Sequence, residues 1–165
     1  MKSDTIAAIA TALSDAGIGI IRISGPEAIA VANRVVVNKK KEHTLKNWQT
    51  HTIHYGFVEE NGTILDEVMV SVMKAPRSYT TEDTVEINCH GGVLLTKRVL
   101  EAVLHAGARM AEPGEFTKRA FLSGRIDLSE AEAVMDLIQA KNQFSMQASI
   151  KQLRGSVAEK VKSLR

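Results

Sequence analysis

Two charged residues, Arg22 and Glu86, interrupt short apolar segments that have the composition of β-strands. A charge inside an apolar strand is costly to bury unless it is paired. Arg22 therefore lies at an exposed strand edge or faces a ligand or a carboxylate, and a structural ion pair is an equally good interpretation. Side chains alternate along a strand, so Glu86 lies on the face opposite to Val85 and Ile87.

The strand that carries Glu86 ends at a turn, His90-Gly91-Gly92, from which a helical pattern begins at once. Adjacent glycines allow a tight turn and a close approach by another molecule. The helix N-terminus that follows would offer unpaired N–H groups to a polar ligand. The same pattern also fits a plain strand-to-helix connection. No Walker A sequence follows, and the third glycine and the acidic partner of a dinucleotide fingerprint are missing.

Cys89, beside that turn, is the only cysteine of the 165 residues. A thiol near a helix N-terminus can be reactive, whereas a cysteine at the end of an apolar strand is more commonly buried and structural. One cysteine excludes an internal disulfide and a zinc cage, and it is typical of a reducing cytosol. The net charge of +2 gives no argument for nucleic acid by itself, and no segment has the pattern of a signal peptide or a bilayer span.

The hydrophobic pattern predicts the elements that must position these residues. We expect strands at residues 5–10, 18–24, 50–59, 65–74 and 84–89, a further short strand at 109–111, and helices at 27–36, 92–105 and 115–122. Asn61-Gly62 indicates a hairpin between the two long strands. The three lysines at 39–41 are interpreted as a solvated connector without a function.

The character of the chain changes after Ser123-Gly124-Arg125. Asp127 is expected to cap a helix, with Glu130 as its capping-box partner. Apolar stripes then run over residues 128–138 and 150–164, with almost no glycine or proline, and they need partner helices to bury them. We therefore predict a domain boundary near Asp127 and expect this sequence to be the front part of a longer protein.

Five stretches in the same order resemble the N-terminal region of the MnmE (TrmE) family of tRNA-modifying GTPases. They are residues 4–8 (Asp-Thr-Ile-Ala-Ala), 19–25 (Gly-Ile-Ile-Arg-Ile-Ser-Gly), 82–86 with 90–92 (Glu-Asp-Thr-Val-Glu and His-Gly-Gly), 112–122 (from Glu-Pro-Gly-Glu-Phe to Leu122) and 124–133 (from Gly-Arg-Ile-Asp-Leu to Ala133). The resemblance extends over essentially all 165 residues.

The resemblance implies an α+β fold, a mixed or antiparallel sheet with packed helices like that of the folate domains of glycine-cleavage T-protein relatives. Residues 1–124 would form a tetrahydrofolate-binding and dimerisation domain, and residues 125–165 the first helix of an all-α domain. The family's whole proteins are homodimeric, cytoplasmic GTPases that use GTP, Mg²⁺ and K⁺. With MnmG, a partner that uses FAD and NADH, they modify the wobble uridine of tRNA, and methylene-tetrahydrofolate supplies the one-carbon unit.

The family's folate contacts fall on Arg22, Glu86 and Arg125, so the resemblance implies that these three residues bind a 5-formyl- or methylene-tetrahydrofolate. A pterin edge presents adjacent N–H donors, which one carboxylate such as Glu86 can accept. The arginines would meet carboxylate or carbonyl oxygens of the ligand.

The sequence also departs from the family pattern. Residues 12–15, Ala-Leu-Ser-Asp, replace a Pro-Pro-Gly-type loop, and Arg125 replaces a lysine of some relatives. The chain contains neither the phosphate loop of the G domain nor the family's C-terminal cysteine, so we expect it to be inactive alone. Two alternatives remain at this point: a self-standing one-carbon transferase of the T-protein type, and a dimerisation module without a ligand.

Overall fold

The computed structural model describes residues 4–11, 17–141 and 143. The chain divides into two compact units, the first of which comprises Met1–Arg125. This unit contains seven strands: β1 (Ile6–Ile9), β2 (Gly19–Ser24), β3 (Val36–Val37), β4 (Thr52–Glu60), β5 (Thr63–Met73), β6 (Thr84–Cys89) and β7 (Arg109–Met110). Its helices are α1 (Ala28–Val35), α2 (Gly92–His105), α3 (Glu115–Leu122) and a 3₁₀ turn at Leu45–Asn47.

The strands form one sheet in the order β3-β4-β5-β6-β2-β1-β7. All neighbours are antiparallel except β1 and β7, which run parallel and pair Ile6 with Arg109. The sheet is therefore mixed, and with its helices the unit has the α+β fold that the resemblance implied. The predicted hairpin is also confirmed, because β4 and β5 are joined across Asn61 and Gly62, both at positive φ.

One face of the sheet carries the hydrophobic core. Strand alternation sends every second side chain of β2, β5 and β6 to this face, where α1 and α2 cover them. The fully buried β-branched residues on it include Ile21, Ile23, Val68, Val70, Val72, Val85 and Ile87. The other side chains of the same strands, Arg22 and Glu86 among them, consequently lie on the opposite face, here called the open face.

Gly25 directly follows β2 and lies where a side chain would not fit. Its φ is +142°, and an added Cβ would lie 2.6 Å from the Thr5 Cα. The backbone of the β1 entry therefore approaches β2 more closely than an alanine would allow. The Thr5 hydroxyl uses this proximity to accept a hydrogen bond from the Glu27 N–H at 2.8 Å.

Most predicted elements of the first unit are confirmed within one or two residues, and two are additional. Val36 was assigned to the helix by its apolar periodicity, but it begins β3 and pairs with Val58. The 3₁₀ turn at Leu45–Asn47 was not predicted, and Leu45 is buried in the core.

The second unit begins at Ile126, and its described residues are helical over 128–141. The predicted capping box is confirmed: Asp127 Oδ1 accepts the Glu130 N–H at 2.8 Å, and Glu130 Oε1 accepts the Asp127 N–H at 3.5 Å. On the first apolar stripe Ala131 is buried, whereas Leu128 is 57% exposed. The second predicted stripe, residues 150–164, lies outside the described residues. Within those residues, no helix combines the length and hydropathy needed to cross a membrane.

Candidate functional site

Arg22 and Glu86 form an ion pair across β2 and β6. The strands are antiparallel, and their register places the two residues directly opposite each other. The Arg22 Nε donates to Glu86 Oε1 over 3.4 Å, and each side chain keeps a quarter to a third of its surface exposed. This is the only hydrogen bond of either side chain among the described residues. The second carboxylate oxygen and the terminal guanidinium nitrogens therefore remain available to a ligand.

The pair belongs to a row of residues that crosses the open face. Register pairs align Ile53 with Ser71, Ser71 with Glu86, Glu86 with Arg22, and Arg22 with Ala8. At one end of the row lies Ile53, an apolar residue that is 64% exposed, and the charged residues lie towards β2. The row thus combines an exposed apolar side chain with hydrogen-bonding groups at its centre.

A depression of about 290 Å³ lies on the β4–β5 side of Glu86. Its lining includes Ser71 and Met73 of β5, and His51 and Ile53 at the start of β4. One carboxylate, one histidine, two hydroxyl-bearing residues and several apolar residues therefore line this space. The composition suits a flat ring system with polar edges better than it suits an ion.

The aromatic ring of Phe116 lies on the other side of Arg22. The guanidinium carbon of Arg22 is 5.6 Å from the ring centroid, within the range of a cation–π contact. Phe116 is the second residue of α3, which begins after Gly114 at a φ of +77°. The left-handed glycine turns the chain so that the first turn of α3 reaches the open face.

A network of ion pairs fixes α3 to the rest of the sheet. Arg119, with 11% of its side chain exposed, donates to Asp4 Oδ1 at 2.8 Å and to Glu82 Oε1 at 3.0 Å. Arg109 of β7 donates to Glu115 Oε2 at 2.6 Å and also binds Asp4. Helix α3 is therefore held at both its first and its last turn.

These pairs change the acidity of the groups in the network. The hydrogen bond from Arg109 lowers the pKa of Asp4 from 3.8 to about 2. The same guanidinium lowers the pKa of Glu115, and the two carboxylates raise the pKa of Arg109. The shifted pKa values keep Asp4, Glu115 and Arg109 charged at neutral pH, so the ion pairs among these three residues are formed there.

Arg125, the third predicted ligand residue, lies in the turn that follows α3. Its backbone N–H closes the helix by donating to the Ala120 carbonyl at 2.9 Å. Its side chain is exposed and makes no hydrogen bond or ion pair with any described residue. The structure thus brings two of the three predicted residues into contact, and the role of Arg125 stays a prediction.

Two N–H groups of the turn after β6, just before α2, are already occupied. Asp66 Oδ2 accepts the backbone N–H of His90 at 2.7 Å and that of Gly91 at 3.2 Å. A carboxylate from β5 thus occupies the position where a ligand anion would bind. These two N–H groups are therefore not available to a ligand, which favours a plain strand-to-helix connection, and ligand binding by the first turn of α2 stays a prediction.

Cys89 is buried on the core face, with its thiol away from solvent. Burial, together with the nearby charge of Asp66, raises its pKa from 9.0 to about 12. The thiol is therefore protonated at physiological pH, as expected for the structural alternative. Among the described residues no group of three histidine, cysteine, aspartate or glutamate side chains could hold a metal ion.

A larger cavity, of about 640 Å³, lies near the C-terminal end of β2. Its lining includes four acidic residues, Asp4, Glu27, Glu82 and Asp83, and neither Arg22 nor Glu86. Asp4 and Glu82 already form ion pairs with Arg119, and the cavity lining contains neither residue of the Arg22–Glu86 pair. The depression beside Glu86 is consequently the better candidate site in spite of its smaller volume.

Phe116 and Arg119 were not predicted to belong to the site. Sequence analysis placed Phe116 in a short helix among its apolar residues, but no periodicity indicates that its ring meets a residue 94 positions earlier. Arg119 also pairs with Glu115, four residues earlier on α3, but its other acidic partners, Asp4 and Glu82, come from two remote segments. Only the tertiary structure brings these residues together.

The family described as "GTP-binding protein TrmE N-terminus" matches residues 5–125 of this chain. The chain belongs to the TrmE N-terminal family. The matched range contains the sheet, the Arg22–Glu86 pair and α3, so this family's domain carries the whole candidate site.

Curated relatives of the TrmE family agree with this assignment. The chain is 61% identical over all its 165 residues to the tRNA modification GTPase MnmE of Lachnoclostridium phytofermentans. It is 54% identical over its full length to the protein of that name from Listeria welshimeri, and 55% identical over 98% of its length to the one from Streptococcus thermophilus. The chain spans 36%, 35% and 35% of the lengths of these relatives.

Proposed function

We propose that this chain is the folate-binding and dimerising region of a tRNA-modifying GTPase. The proposal rests on the Arg22–Glu86 pair, which is partly exposed beside a depression on the open face. It is supported by the match to the TrmE N-terminal family and by relatives named tRNA modification GTPase. Residues 1–124 would be the ligand domain and residues 125–165 the first helix of a helical domain.

In this proposal, Glu86 accepts two adjacent N–H groups of a tetrahydrofolate pterin. A carboxylate that receives two parallel hydrogen bonds gains both energy and geometric specificity. The present contact with Arg22 is long, at 3.4 Å, so little is lost if the carboxylate turns towards the ligand. Arg22 and Arg125 would then supply cations for the ligand's carbonyl or carboxylate oxygens.

Calorimetric titration with 5-formyl-tetrahydrofolate tests this site. We expect the wild-type chain to bind, and Glu86→Gln to lose ~1–3 kcal/mol, the cost of replacing a charge-assisted pair. Glu67→Gln is a matched control, because Glu67 is exposed on the neighbouring strand outside the depression. Absence of wild-type binding at millimolar ligand would refute the folate site. It would favour the alternative of a dimerisation module without a ligand.

The dimer is proposed to use the exposed apolar part of the open face. On β4, Ile53 is 64% and Tyr55 is 41% exposed, an unusual pair of large apolar groups on neighbouring positions of one sheet face. Sedimentation equilibrium should show a dimer that Ile53→Glu weakens. Leu94→Glu, on the exposed side of α2, is the control, since Leu94 is 84% exposed on the other side of the sheet. A monomeric wild type would contradict this part of the proposal.

We further propose that the whole protein hydrolyses GTP with Mg²⁺ and K⁺ and modifies the wobble uridine of tRNA with an FAD-dependent MnmG-type partner. The names of the relatives support GTP hydrolysis and tRNA modification, whereas the ions, the partner and the wobble position rest on the family resemblance. The 165 residues contain no Walker A sequence, so this chain by itself should not hydrolyse GTP. A phosphate-release assay checks this.

Transfer of a one-carbon unit by this chain alone would instead support the T-protein alternative. The expected cytoplasmic location stays a prediction.

A further inference from the structure

Arg22 has only two restraints on its guanidinium among the described residues. One is the 3.4 Å hydrogen bond to Glu86, and the other is the ring of Phe116, 5.6 Å from the guanidinium carbon. A single long hydrogen bond does not fix an arginine side chain, which has about 2 kcal/mol of rotamer entropy. The ring is therefore the second contact that determines where the guanidinium lies.

We propose that Phe116 is a positioning residue that holds the Arg22 guanidinium beside Glu86 for ligand binding. The guanidinium lies over the Phe116 ring, and among the described residues its one hydrogen bond is from Nε to Glu86, so the terminal N–H groups have no protein acceptor. Phe116 thus restrains the cation without consuming the donors that a carbonyl or carboxylate of the ligand requires. This inference rests on the folate site proposed above.

The ring itself is held in place from outside the site. On the next residue, Thr117, the hydroxyl bonds the Tyr79 hydroxyl at 3.1 Å and is buried. Further along α3, Arg119 is tied to Asp4 and Glu82. Because α3 is held in place, the Phe116 ring is held too. The ring in turn restrains the Arg22 side chain, which would otherwise sample several rotamers.

The first test needs no ligand. The ¹⁵N order parameter of the Arg22 Nε–H group is measured in the wild type, in Phe116→Leu and in Phe116→Tyr. We expect it to fall in Phe116→Leu and to be retained in Phe116→Tyr, which keeps the aromatic face. Phe121→Leu is the matched control on the same helix, since Phe121 is 37% exposed and makes no recorded contact with Arg22. An equal order parameter in wild type and Phe116→Leu would overturn the inference, whether or not folate binds.

The second test uses 5-formyl-tetrahydrofolate and a double-mutant cycle. Phe116→Leu should weaken binding about 3- to 30-fold, the range of a cation–π contact, while Phe116→Tyr restores it. In an Arg22→Met background, Phe116→Leu should have no further effect, because the ring acts through Arg22. Additive losses, or unchanged binding in Phe116→Leu, would overturn the positioning role although the folate site stands. Failure of the wild type to bind would instead remove the folate site, and the order parameter alone would then decide whether Phe116 fixes Arg22.

Discussion

Asp66 on β5 caps the turn before α2 by accepting the backbone N–H of His90 at 2.7 Å, across 24 residues of sequence. The same oxygen accepts the Gly91 N–H at 3.2 Å. A half-buried carboxylate from another strand thus binds the two N–H groups that immediately precede α2 and ties this turn to β5.

We predict that Asp66→Ala lowers the free energy of unfolding by ~1–3 kcal/mol, the usual range for losing hydrogen bonds to a charged group. Asp66→Asn keeps an acceptor oxygen and should lose less. Urea unfolding followed by circular dichroism measures both variants. Equal stability of Asp66→Ala and the wild type would show that water binds the N–H groups of His90 and Gly91 as well as Asp66 does.

A second prediction concerns the close approach of β1 and β2 at Gly25. Gly25→Ala should destabilise the chain by ~1–3 kcal/mol or more, because it combines a strained positive φ with a collision against the Thr5 Cα. Gly62→Ala is the matched control, since Gly62 also has a positive φ, of +81°, but nothing lies within 4 Å of its added Cβ. Thermal unfolding of the two variants separates collision from strain, and equal losses would mean that the approach to Thr5 is not restrictive.

The buried thiol of Cys89 gives a third prediction. Because burial raises its pKa to about 12, the thiolate is almost absent at the pH of ordinary thiol assays. Folded protein should therefore react with a disulfide reagent far more slowly than protein unfolded in guanidinium, which exposes the cysteine. Rapid modification of the folded chain at neutral pH would restore the interpretation of Cys89 as a reactive residue.

A fourth prediction follows from the low pKa of Asp4. Its folded pKa of about 2 lies below the ordinary value of 3.8, so the ionised form is preferred by the folded state. The resulting stabilisation is complete above 3.8 and is lost as the pH falls towards 2. Urea midpoints of wild type and Asp4→Asn should therefore differ at neutral pH and converge in acid. A constant difference down to the lowest pH would contradict the ion pair with Arg109.

Much of the fold was predictable because local physical rules determine it. Alternation placed Glu86 on the face opposite to Val85 and Ile87, and Asn61-Gly62 identified the hairpin. The pairing of Arg22 with Glu86 was not predictable from either segment, because it depends on the register between β2 and β6. One residue of slip would place the two charges on opposite faces.

The remaining differences have a similar cause. Val36 has an apolar side chain at a helical spacing, but its backbone pairs with Val58 of β4, and this tertiary pairing prevails over periodicity. In the sequence, Asp66 lies in an exposed part of a hairpin. It binds the His90 N–H only because β6 lies beside β5 in the sheet. Long-range partners of this kind leave no signal in the composition of a single segment.

The pairing of β1 with β7 has a consequence for synthesis on the ribosome. Asp4 emerges early, yet its partners Arg109 and Arg119 lie 105 and 115 residues further along the chain. Strand β1 therefore has one edge unpaired until β7 has also left the exit tunnel. A pause in translation before residue 109 would prolong the time during which this edge of β1 is unpaired. A pause after α3 would come when β7 is already available to pair with β1.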